Sequence, residues 1–127
     1  MGRTKALIFA AAVSSFAASV AAPAAAHHGW SEYDSDKLLK VTGKVVDSGY
    51  EHPHGHARME TVSGDAKVGM TWNVILAPPS RMERRGLGKE MLKPGASVTV
   101  EGYANRTKPE EMRAERIIVN GKTIELR

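Results

Sequence analysis

"LLKVTGKVVDSGY", residues 38–50, decides the fold. It carries Val41, Val45 and Val46, and Gly43 interrupts it. β-Branched residues suit a pleated, half-buried surface. A glycine inside such a run marks a bulge or a sharp bend. The stretch therefore reads as one long, curved strand, the kind that lets a small sheet close on itself.

The segments that follow extend this reading. "GHARMETV", 55–62, is a second strand with weak alternation, and "SGDAKVG", 63–69, is a turn centred on Gly64-Asp65. "MTWNVILA", 70–77, sets Met70, Trp72, Val74 and Leu76 against Thr71, Asn73 and Ile75, a period of two that defines a third strand and a hairpin. Pro78-Pro79 stops it. Ser80-Arg81-Met82-Glu83 has the spacing of a capping box, so a short helix is expected to start at Ser80 and stop at Gly86. "KEML", 89–92, is a helical turn closed by Pro94-Gly95. "ASVTVEGYA", 96–104, is a fourth strand, "NRTKPEE", 105–111, a polar loop, and "MRAERIIVN", 112–120, a fifth strand. Asn120-Gly121 is a hairpin signal, and "KTIELR" closes the chain as a short ribbon. The expected class is all-β with one short helix. The helix between strands three and four favours a small five-stranded, OB-fold-like barrel over a plain β-sandwich.

The chain has 127 residues, which points to one domain. Residues 1–26 have the form of a cleaved signal peptide. Arg3 and Lys5 make a basic start, Ala6 to Ala22 an apolar stretch broken by serines, and Ala24-Ala25-Ala26 a peptidase site. Residues 27–37 are then a polar arm, expected to pack Trp30 or Tyr33 onto a domain at 38–127. The signal implies a periplasmic or secreted protein with no stable membrane anchor after cleavage. Removing Arg3 and Lys5 lowers the formal net charge of +4 by two. From Trp30 onward the charges alternate in sign, so a nucleic-acid stripe is not supported.

There is no cysteine. Disulfides, thiolate zinc sites and cysteine nucleophiles are excluded, and a metal would need His, carboxylate, Met, backbone or a terminal amine. Methionines 59, 70, 82, 91 and 112 are scattered and read as core filler rather than thioether ligands. All five histidines fall between His27 and His56. In "YEHPHGH", His52, His54 and His56 would share one face of a strand, a spacing that can grip a divalent metal. Pro53 cannot donate to a ladder, so the run is an edge or a turn, and a turn would bring only two of the three together. The bland alternative is a solvated loop.

His27 and His28 offer a second route. Cleavage after Ala26 gives His27 a free amine and an imidazole that can both hold copper. Cleavage after Ala25 makes His28 the third residue of a square-planar Cu(II) or Ni(II) site. Arg81, Arg84 and Arg85 on adjacent turns could meet an anion or a partner protein, against the alternative of a solvated helix face. No motif places Glu32, Asp34 or Glu51 beside a nucleophile, and capping accounts for Ser80.

"AHHGWSEYD", "VTGKVVDSGYEHPH", "TWNVILAPPSRMERRGL", "MLKPGASVTVEGY" and "MRAERIIVNGKTIEL" together resemble an uncharacterised family of small secreted bacterial proteins built on a domain of unknown function. The resemblance spans the mature chain. Its members carry Asn-Pro-His where this chain has His52-Pro53-His54. His28 and His54 match the family pattern and His52 departs from it, so the resemblance implies a role for the pair rather than the triple. The leading expectation is a periplasmic, non-enzymatic binding protein holding a copper-like divalent ion between the N-terminal and loop histidines. The alternatives are a metal-free module for a partner protein or anionic small molecule, and a metal-dependent oxidoreductase.

Overall fold

The computed structural model describes Gly2 and residues 29–127. Six strands form one sheet: β1 Leu39–Gly49, β2 His56–Gly64, β3 Thr71–Ile75, β4 Ser97–Ala104, β5 Glu111–Val119 and β6 Lys122–Glu125. β1 pairs with both β2 and β4, β2 with β3, and β4 with β5, all antiparallel. β3 then runs parallel to β5 from Asn73↔Glu111 to Ile75↔Arg113, which closes a five-stranded barrel. β6 is an extra strand on β5. The closure and the single helix between β3 and β4 are those of the OB-fold.

The bend in β1 lies where its glycine predicts. The β1–β2 register shifts between Thr42 and Gly43 and again between Val45 and Asp47. A Cβ on Gly43 would lie 2.4 Å from the Glu60 carbonyl oxygen, so only glycine admits the close approach of β2. This turns β1 out of one half of the barrel and into the other.

Alternation then fills the interior. Val41 and Val45 from β1, Ala57 and Met59 from β2, and Trp72 and Val74 from β3 are buried, as are Val98 and Val100 from β4 and Met112 and Ile117 from β5. Met59, Met82 and Met112 are fully buried, as filler should be.

The helix α1, Pro79–Arg84, closes one end of the barrel with Met82. It does not use the expected capping box. Pro78 is the flanking residue, no side chain caps the start, and Ser80 lies inside the first turn. Pro79 explains the difference. It has no N–H to satisfy and a preset φ, so it takes the first helical position and moves the start ahead of Ser80. The end follows a Schellman pattern, with Gly86 N–H donating to the Glu83 carbonyl and Leu87 N–H to the Met82 carbonyl. Gly86 supplies the required positive φ of 90°. Among the described residues no helix is long and apolar enough to cross a membrane.

Candidate functional site

The outward faces of β2 and β3 carry the side chains that alternation excludes from the core. His56 stands opposite Ile75, and Arg58 opposite Asn73. With the β1–β2 loop residues Pro53 and His54, these four line an open cleft of about 590 Å³. Local structure explains why His54 and His56 meet there. Gly55 is buried between them, its N–H donating to the Ala77 carbonyl and its carbonyl accepting from Leu76 N–H. A Cβ on Gly55 would lie 2.3 Å from the Met82 Cε. With Gly55 turned inward against α1, its two neighbours turn outward. The His56 ring lies over Gly49, where a Cβ would come within 2.3 Å of it.

The structure thus brings together two of the three loop histidines. His52 is exposed and does not line the cleft. Among the described residues no group of three or more His, Asp or Glu is placed to hold a metal ion. His27 and His28 lie outside the described residues.

A second constellation fixes the arm. Of its two aromatic residues, Tyr33 is the buried one, at 1% exposure, and Trp30 stays half exposed. Tyr33 bridges to Asn105, Asp34 N–H donates to the Ala104 carbonyl, and Arg106 N–H donates to the Glu32 carbonyl. The Tyr33 hydroxyl donates to Glu111 Oε1 at 2.7 Å, and Asn105 Nδ2 donates to the same oxygen at 3.3 Å. Burial, reinforced by the Glu111 carboxylate, pushes the Tyr33 hydroxyl up to about 12. Asn105 Oδ1 also accepts from the N–H groups of Thr107 and Lys108, which folds the β4–β5 loop. Residues 105–111 are therefore more than a polar loop: Asn105 is buried, and the buried Glu111 opens β5. Sequence reasoning missed Glu111 because a carboxylate in a charged run gives no sign of burial.

Trp30, in the arm, lies against cations. The Arg113 guanidinium is 4.1 Å from its ring centre and that of Arg127 5.7 Å, while Tyr103 meets it edge-on at 6.2 Å. Burial, with Arg113 and Arg81 nearby, pushes the Arg127 guanidinium down to about 10. Arg127 Nη2 donates to the Leu76 carbonyl at 2.8 Å, tying the chain end to the residue after β3.

The three helix arginines serve the fold at two positions. Arg81 donates to the Leu126 carbonyl, and Arg85 to those of Glu125 and Arg127. They staple α1 to β6 and its continuation. Arg84 is exposed and donates to the Ser80 carbonyl in its own helix.

An OB-type barrel with an anchored N-terminal arm and a histidine-lined cleft on β2 and β3 is the class these observations define. The model of a family of unknown function, DUF6152, matches residues 15–112, and the chain belongs to that family. No curated protein matches the chain. Among solved structures, the complex of TiaS with tRNA and ATP is similar with a TM-score of 0.42 and 22% identity over 68% of this chain and 18% of that one. The ZRD-deleted mutant of TiaS in complex with agmatine is similar with a TM-score of 0.45 and 21% identity over 74% of this chain and 25% of that one. The chain spans a quarter or less of either protein's length.

Proposed function

We propose that this protein is a periplasmic or secreted, non-enzymatic binding protein that holds a copper-like divalent ion between His54, His56 and the histidines that precede Gly29. One observation carries the reading: the arm is anchored beside the cleft. His56, Ile75 and Arg113 are cross-strand neighbours on β2, β3 and β5, and Trp30 lies over Arg113. Two strand spacings, about 10 Å, separate His56 from Arg113. His28 precedes Trp30 by two residues, a reach of up to about 7 Å of backbone before its own side chain is added. His28 thus begins two residues from a side chain that stacks on the strand next to the cleft.

The donor set favours the later transition metals. Imidazoles and an amine suit Cu(II), Ni(II) or Zn(II), whereas Ca(II) and Mg(II) favour carboxylate oxygens, which the described lining of the cleft does not include. His54 and His56 give two nitrogens, and His28, with the terminal amine if cleavage leaves it close by, supplies the rest. The reading based on Arg81, Arg84 and Arg85 is weaker, because Arg81 and Arg85 already donate to backbone carbonyls.

Titration of the processed chain with Cu(II) tests the reading. One equivalent should bind, with nitrogen hyperfine structure in the electron paramagnetic spectrum, and His28→Ala and His54→Ala should each abolish the stoichiometric site. Wild-type binding in both variants, or no stoichiometric site at all, refutes it. The mass of the secreted N-terminus identifies the residue that owns the amine.

A further inference from the structure

We propose that the cleft beside His54 and His56 also binds a small organic acid, a carboxylate carried on a short apolar body. This goes beyond the metal reading and does not depend on it. The cleft, at about 590 Å³, is far larger than an ion and falls in the range of small-molecule sites.

Its lining divides into two chemistries. Arg58 and Asn73, paired across β2 and β3, supply a guanidinium fork and an amide from positions about 5 Å apart. A guanidinium fork matches the two oxygens of a carboxylate. Ile75 and Pro53 supply an apolar wall, and the two imidazoles stand beside it. Among the described residues no carboxylate lines the cleft.

Asp47, from β1, accepts from Arg58 Nη1 at 2.8 Å. This bond orients the guanidinium and uses one of its nitrogens, leaving the rest of a five-donor group. It also partly offsets the positive charge, so the affinity for a minimal acid is modest, on the order of millimolar. The hollow on the other side of Asn73 is lined by Glu110, Glu111 and Lys108, and its remaining net negative charge disfavours an anion there. The anion is thereby directed to the histidine side.

Benzoate and its neutral analogue benzamide are the probes, titrated into the chelator-treated, metal-free protein and followed by the imidazole and amide resonances. Benzoate should saturate and shift His54, His56 and Asn73. Benzamide should bind at least about tenfold more weakly, because it lacks the charge that strengthens the Arg58 bond. Arg58→Gln should weaken benzoate about tenfold, and Asn73→Asp should abolish its binding by opposing the charge. Lys122→Gln, on β6, is the control and should bind as wild type.

Arg58 and Asn73 are both on the outer face of the barrel, and retained spectral dispersion verifies the fold of each variant. Equal binding of benzoate and benzamide, unchanged affinity in Arg58→Gln, or no saturable shifts would overturn the proposal. His54→Ala separates the two readings: it should lose stoichiometric copper while keeping most of the benzoate affinity.

Discussion

The arm anchor and the histidine cleft lie on neighbouring strands and follow opposite rules. At the anchor, Tyr33, Asn105 and Glu111 are buried and satisfy one another. In the cleft, His54, His56, Arg58 and Asn73 stand on an open face, with their side chains outside the core. A buried polar network persists because losing one member strands the rest. An open face is under less of that constraint, because a side chain there that loses a protein partner still meets water. The anchor stabilises the fold and directs the arm, and the cleft can change chemically with little effect on stability.

Substitutions can break this contrast. Glu111→Ala should have the largest effect, because it leaves the Tyr33 hydroxyl and the Asn105 amide buried without their acceptor. The expected loss is about 2–3 kcal/mol, or a fall in Tm on the order of 10 °C for a domain of this size, read by thermal denaturation. If the loss is a few tenths of a kcal/mol, the network does not hold the arm.

Tyr33→Phe removes one charge-assisted hydrogen bond and should cost about 1–2 kcal/mol near neutral pH. It also has a pH signature. The folded-state hydroxyl is raised to about 12 from its ordinary value of 10. The associated stability is fully present below pH 10 and is lost as the pH rises toward 12. The stability gap between wild type and the variant should narrow over that window, as read from denaturant midpoints. A gap that stays constant across it contradicts a Tyr33 hydroxyl buried beside the Glu111 carboxylate.

In the cleft, Gly49→Ala places a methyl where the His56 ring lies. The ring must move, so the His56 resonances and copper affinity should change while stability falls by only about 1 kcal/mol. His52→Ala should have the smallest effect, within about 0.5 kcal/mol of wild type and with unchanged copper stoichiometry. A clear loss of metal in that variant would bring His52 back into the site.

Much of the fold is legible because its signals are local. Gly43 marks the bend in β1 and Asn120-Gly121 the last hairpin, where φ values of 51° and 73° suit a two-residue turn. The period-two pattern of Met70 to Leu76 specifies β3. Other features are less legible because competing local signals overlap. Ser80 and Glu83 have capping-box spacing, but Pro79 takes the helix start. Of the candidate site, the i, i+2 relation of His54 and His56 is visible in sequence, as is the difficulty that Pro53 creates. Arg58, Asn73 and Ile75 are not, because they join the histidines only through the register of β2 with β3.

The sequence by itself determined the elements: a bent first strand, alternation in the strands after it, one helix stopped by glycine, and histidines confined to the first half of the chain. Backbone preference and hydrophobic period act over a few residues, so the sequence carries them directly. Only the tertiary structure decided that Glu111 is buried under Tyr33, that Arg81 and Arg85 staple the helix to the last strand, and that Trp30 lies over Arg113, the neighbour of Ile75 across β3 and β5. Those outcomes depend on barrel closure, which sets β3 against β5 and joins residues far apart in the chain.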